Sequence, residues 1–193
     1  VAWTPPKTDF SPGNVLTAAQ VNAIGNNLVD LRSRDGMIFI DETAFNAVSS
    51  VPVDGVFSAD FTNYFVIAGF TTTNAGGTIN LQFRAGGSTT AANYNFVRLD
   101  VAATVTSATA TAQSTVRIGA NDASGRHSFE GWVVNPFLSV PTHWNSTYTR
   151  NNCAGGTETC QLAHTGNTSF DGYVLTISTG TATGTIRTYA FAQ

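Results

Sequence analysis

After Gly36 the sequence alternates apolar and polar residues, and this period of two constrains the fold more tightly than any other feature. Ile79, Leu81 and Phe83 share one face of an extended segment, while Asn80, Gln82 and Arg84 share the other. That is the pattern of a strand with one buried side. It recurs over 56–61, 64–70, 93–99, 115–118, 129–134, 172–177 and 185–191. Asp54-Gly55, Gly76-Gly77, Gly86-Gly87, Gly155-Gly156 and Asp171-Gly172 punctuate the segments with turn chemistry. The Ala/Thr-rich stretch 101–114 reads as a strand with a loop, because threonine fits a pleated surface. With weaker candidates included, the count is roughly ten strands. No crossover helices separate them, so residues 37–193 are expected to form an antiparallel β-sandwich, jelly-roll-like, as a surface domain.

The first 36 residues follow a different rule. Thr17 with Gln20 three positions later makes a capping box, and Leu16 and Val21 flank it as a hydrophobic staple. Arg32 and Arg34 suit the negative end of a helix dipole, and Gly36 can end the helix in the left-handed conformation. A helix over 18–34 is therefore expected. Ahead of it Trp3, Pro5, Pro6, Phe10 and Pro12 form an extended arm that cannot be helical. Val21, Ile24, Leu28 and Leu31 are spaced three, four and three apart, which makes one narrow apolar seam. Helices of this length are marginal alone. Trp3, Phe10, Val21, Ile24, Leu28 and Leu31 are thus expected to form an assembly interface. The seam would lie on a different protein, on another copy of the chain, or on the chain's own sandwich. Gly25, Asn27, Arg32 and Arg34 beside it offer no acid for pairing across helices, which weighs against a free-standing coiled coil.

Composition removes several function classes. Only 11% of the 193 residues are charged, less than half of the roughly 25% usual in soluble domains. Thr, Ser, Asn and Gln must supply the polar surface, which suits permanent packing against neighbours. Lys7 is the one lysine and the arginines are scattered singly, so no stripe exists to neutralise phosphates and no nucleic acid is expected. No apolar run reaches the roughly 18 residues that span a bilayer, so no membrane insertion is expected. The mature chain is expected to be soluble, with or without an earlier signal peptide.

Catalytic constellations are hard to find. The acids Asp41, Glu42, Asp54, Asp60, Asp100, Asp122, Glu130, Glu158 and Asp171 sit mostly beside glycine or in turn-like sequence. His127, His143 and His164 lack metal-ligand spacing and read as surface or satisfied histidines. Ser124 and Ser169 lack a nucleophile-elbow frame, and the glycine pairs lack the lysine of a phosphate loop. No catalytic residue, metal site or cofactor is therefore expected. Cys153 and Cys160 enclose Ala-Gly-Gly-Thr-Glu-Thr and are read as a short surface disulfide, the alternative being two free thiols. In Thr142-His143-Trp144-Asn145-Ser146-Thr147-Tyr148, Trp144 and Tyr148 could stack on sugar rings with Asn145 hydrogen bonding beside them. Even spacing equally places Trp144, Ser146 and Tyr148 on one buried strand face, the commoner arrangement. Trp132, alternating with Gly131 and Val133, is a candidate for a core edge or a subunit interface.

The residues also carry a resemblance. Trp3-Thr4-Pro5, Gly13, Leu16-Thr17-Ala18-Ala19-Gln20-Val21-Asn22, Asn27-Leu28 and Leu31 resemble the opening of many bacteriophage virion proteins. There, a Trp/Pro arm and such a helix precede a projecting β-rich domain. Asn93-Tyr94-Asn95-Phe96, Asn135-Pro136-Phe137, Phe170-Asp171-Gly172-Tyr173 and the closing 180–189 are similar to segments of such domains. The resemblance implies a tail-fibre, tail-tip or head-surface protein, made in the bacterial cytoplasm and carried on the virion surface. It implies other virion proteins as partners and self-association, with a trimer favoured. Host-surface recognition, through a glycan among other possibilities, is the expected role. A capsid decoration protein and a secreted carbohydrate-binding module are the rivals.

Overall fold

The computed structural model describes residues 17–34, 36–74, 76–102, 104–121, 125–150 and 156–191, without the side chains of 27–34 and 121. The chain divides into two units between Ile38 and Phe39.

In the first unit, α1 (Ala18–Arg34) covers the expected span. The Thr17 N–H donates to Gln20 Oε1 at 2.8 Å, and the Gln20 N–H donates to Thr17 Oγ1 at 3.3 Å. The capping box thus satisfies two amides that the first turn leaves without carbonyls. Gly36 has φ +59°, the left-handed backbone expected after the helix. Val21 and Ile24 are 52% and 44% exposed. The side chains of Leu28 and Leu31, and the arm with Trp3 and Phe10, lie outside the described residues. No helix among the described residues is long and apolar enough to cross a membrane.

The second unit is an antiparallel β-sandwich. Its larger sheet runs in the order β1 (Met37–Val48), β13 (Ala182–Phe191), β3 (Asn63–Thr72), β9 (Arg126–Val134), β10 (Thr142–Thr149), β11 (Thr157–His164), β6 (Tyr94–Val101) and β7 (Val105–Gln113). The smaller sheet runs β2 (Ser50–Val53), β12 (Gly172–Ile177) and β4 (Gly77–Ala85), with β5 (Ser88–Thr89) and β8 (Val116–Asn121) both paired to β4. Most connections carry the chain from one sheet to the other, as in jelly rolls, so successive strands meet across the core.

Alternation decides which side chains fill the space between the sheets. Along β9, His127, Phe129, Gly131 and Val133 are buried, while Arg126, Ser128, Glu130, Trp132 and Val134 are exposed. The core is unusually aromatic, with Trp144, Tyr64, Tyr94, Tyr148, Tyr173, Phe57, Phe83 and Phe170 all fully buried. Phe83 stacks on Phe170 at 5.0 Å and meets Trp144 edge-on at 6.3 Å. Buried hydroxyls need partners. Tyr94 Oη accepts from the Phe83 N–H at 2.7 Å, and Tyr173 Oη lies 3.1 Å from Thr188 Oγ1.

Three expectations change. Residues 56–61 are not a strand. Val56 and Phe57 are both buried, which successive residues of a strand cannot be when one face is open, and both their N–H groups donate to the Asp171 carbonyl at 2.9 and 3.0 Å. Asp41, Glu42, Asp100, Glu130 and Glu158 lie in strands rather than turns, and the described residues hold thirteen strands where about ten were expected.

Candidate functional site

Strand β10 turns its alternating residues the opposite way from a sugar-binding strand. Thr142, Trp144, Ser146 and Tyr148 face the core, and His143, Asn145, Thr147 and Thr149 face out. Trp144 is 1% exposed and Tyr148 is 0% exposed, so neither can meet a ligand from solvent. Their assignment as glycan or host-surface contacts is corrected to core packing; Asn145 alone remains on the surface. The physical cause is room made by neighbours. A Cβ on Gly131 would lie 2.5 Å from Trp144 Cζ2, and one on Gly119 would lie 2.5 Å from Tyr148 Cγ. Glycine inside a strand is the sequence mark of such close approach.

The outward face of the larger sheet carries what β10 does not. Register aligns one residue from each strand into a row across the sheet. Tyr189 pairs with Phe65, Phe65 with Trp132, Trp132 with Asn145, Asn145 with Gln161, Gln161 with Val97, and Val97 with Thr109. Phe39 on β1 extends the row, its ring 5.7 Å from that of Tyr189. One half of the row is therefore aromatic and the other half is amide, valine and threonine. Trp132 sits at the junction, 48% exposed, with Phe65 at 4.7 Å and Phe191 at 5.0 Å between ring centroids. These rings fix the indole in place while leaving about half of it in water. Beyond Gln161 the sheet is hollowed into a groove of about 570 Å³, lined by Asn95, Val97, Thr109, Thr111, His143 and Gln161. The hollow coincides with a register shift between β6 and β7, where Asn95 Oδ1 accepts from the Ala112 N–H at 2.9 Å. A second hollow of about 330 Å³ lies beside Ile67, Ser128, Glu130 and Thr147, on the adjoining rows.

A charged cluster inside the sandwich was not anticipated. Glu158, 0% exposed, points inward from β11. Arg117 of β8 reaches it from the other sheet at 2.9 Å, Arg150 bonds the same carboxylate oxygen, and Arg98 Nε lies 3.6 Å from the second oxygen. Asp100 joins at 3.0 Å from Arg150 and 3.6 Å from Arg117. Three guanidiniums thus surround two carboxylates and tie β6, β8, β11 and the end of β10 together. Parity held the clue, since Glu158 shares its strand face with Cys160 and Leu162. The cluster is a structural clamp, enclosed too far for a ligand to reach Glu158.

Cys160 also belongs to the core. Its side chain is free and buried on β11, not in a surface loop, and Cys153 lies outside the described residues. The expected surface disulfide is corrected accordingly. Burial, opposed by Arg98 and aided by Glu158, pushes the Cys160 thiol up to about 12. The fold keeps the thiol protonated, so its stabilising contribution is complete below the ordinary value of 9.0 and is lost as pH rises from there toward about 12. Peptide mapping after iodoacetamide at pH 8 should find Cys160 unmodified in native protein and modified in denaturant. Recovery of a Cys153–Cys160 disulfide would refute the placement.

The histidines divide. His127 is buried, bonded to Thr72 Oγ1 at 3.0 Å and stacked 5.7 Å from Tyr148. His164 is buried between Tyr94 and Phe170, and burial holds its pKa below the usual value. His143 alone is exposed, at the groove.

No family model matches the chain, and no curated protein does. Among solved structures it is similar to the galectin LEC-6 of Caenorhabditis elegans, at 12% identity over 82% of this chain and 96% of that one, with a TM-score of 0.35. It is also similar to the PL-14 alginate lyase of Aplysia kurodai, at 10% identity over 80% of each chain, with a TM-score of 0.37. At such values neither likeness bears on what this chain binds or does.

Proposed function

We propose that the chain is a non-enzymatic bacteriophage virion surface protein. It is held to the particle by its N-terminal arm and helix, and its sandwich is presented as a homo-oligomer for host-surface recognition. The observation that supports this most is the exposed row on the larger sheet, where Phe39, Trp132 and Val97 stay in water although the core has ample apolar residues. A run of rings such as Phe39, Tyr189, Phe65 and Trp132 left on one open sheet face marks an interaction site. The half-exposed Val21 and Ile24 on α1 support attachment through the helix in the same way.

Two arms test the proposal. Full-length protein carrying Ile24→Asp and Leu28→Asp should fold normally yet be missing from purified particles, because a charge in a buried seam without a partner is costly. Wild-type protein added in excess to host cells should compete with particles for adsorption. Normal incorporation of the double variant would refute attachment through the helix, and absence of competition would refute host recognition. The exposed Val97, Leu99, Val101 and Val105 at the β6–β7 end favour one rival, a decoration protein packing against shell neighbours. Imaging labelled protein on particles separates head from tail.

A further inference from the structure

We infer that the ligand of this face is an uncharged glycan lying across the strands, with one sugar against Trp132 and the next ones running over Asn145 and Gln161 into the groove at Val97, Thr109 and His143. The inference rests on the proposed role in surface recognition and specifies its chemistry.

The order of chemistry along the row carries the argument. A pyranose presents C–H groups on its faces and hydroxyls around its rim. It therefore needs an apolar, electron-rich platform beside groups that both donate and accept. Indole surface provides the platform, since its negative π-cloud attracts C–H groups. Phe65 and Phe191 hold the indole rigid, so little side-chain entropy is lost when a sugar lands there. The neighbouring strands supply amides at Asn145 and Gln161, each with two donors and an acceptor. Both are exposed, so their groups are available to a rim of hydroxyls. From β9 to β6 the row crosses three interstrand steps of about 4.8 Å, roughly 14 Å in all, which suits a short oligosaccharide. At the far end the open groove sets the apolar Val97 beside the polar Asn95, Thr109 and Gln161.

Charge selects among glycans. No member of the row from Phe39 to Thr109 is ionisable at neutral pH. On one adjoining row Arg187 is already paired with Glu42 at 2.5 Å and Glu130 is an exposed acid beside Ile67 and Thr147, while the other adjoining row carries the exposed imidazole of His143. An anionic polysaccharide would meet Glu130 with no Lys or Arg on the row to match it, whereas a neutral one needs only the apolar and hydrogen-bonding groups present, His143 among the latter. The same order disfavours a second copy of the chain as occupant. An apolar partner would strip water from Asn145 and Gln161 without replacing their hydrogen bonds.

A printed array of uncharged and anionic oligosaccharides, probed with full-length wild-type protein, tests the inference; dense printing also rewards multivalent capture. Binding should appear among uncharged glycans. Trp132→Ala and Asn145→Ala should each weaken it by at least about tenfold, as for a central contact. Thr176→Ala on the other sheet should leave it unchanged. Undiminished binding by Trp132→Ala, capture confined to anionic glycans, or no capture at all would each overturn the inference. If the array is silent while Trp132→Ala still removes competition for host cells, surface recognition stands and its ligand is not a glycan. If instead Trp132→Ala lowers the oligomeric mass, the face is an interface between copies and the glycan assignment falls.

Discussion

Replacing Glu158 with alanine is expected to destabilise the sandwich by about 3–5 kcal/mol, the usual cost of removing one member of a buried ion cluster. At 0% exposure Glu158 has no water to share its charge, and Arg98, Arg117 and Arg150 are gathered around it. Removal would leave three guanidiniums facing one another with only Asp100 between them. For a domain of this size the thermal midpoint should fall by roughly 6–20 °C. The denaturant slope should stay constant, because the same surface is exposed on unfolding. Glu158→Gln keeps the shape and loses the charge, so it should cost nearly as much. A double-mutant cycle between Glu158→Gln and Arg117→Met isolates the pair that joins the two sheets, with an expected coupling of about 0.5–3 kcal/mol. Near-wild-type stability of Glu158→Ala would mean that the cluster is not a clamp.

The two tryptophans on neighbouring strands are expected to fail in opposite ways. Trp144→Ala should lower stability by about 3–5 kcal/mol, since it empties the centre of an aromatic core and the surroundings collapse only partly. Trp132→Ala should cost about 1 kcal/mol, the value of its ring contacts with Phe65 and Phe191, while removing binding. Chemical denaturation of both variants, beside the glycan array, separates the roles. A stable Trp144→Ala protein that has lost only binding would return that residue to the site.

Gly131→Ala is a finer probe of why the two residues differ. A Cβ there would press on the Trp144 ring, and neither the ring nor the strand has space to retreat in a close-packed core. The glycine thus sets the depth to which Trp144 sinks, and through the register it holds Trp132 and Asn145 side by side on the opposite face.

Local sequence was informative wherever the deciding contacts are local. The helix from Ala18 to Arg34 followed from Thr17, Gln20 and Gly36, whose hydrogen bonds and dihedral involve neighbours a few residues away. Strands such as β4 and β9 followed from parity alone. Where parity was obscured, the sequence misled. Met37-Ile38-Phe39-Ile40 is apolar on both faces and hid β1, and Val56-Phe57 looked strand-like while serving a loop. The short spacing of Cys153 and Cys160 suggested a loop, but Cys160 shares its strand face with Leu162.

The amino-acid sequence by itself determined the division into a capped helix and an alternating β region, because capping and pleating are properties of the chain within a few residues. It also placed Trp144 and Tyr148 on one face of their own strand, and Trp132 on the face of its strand opposite Gly131 and Val133. Only the tertiary structure decided which face is the core, since that depends on which strands pair and which sheet lies opposite. Tertiary pairing likewise assembled the row from Phe39 to Thr109 and the cluster around Glu158. Their members are tens of residues apart along the chain, and register between strands, which no local pattern encodes, brings them side by side.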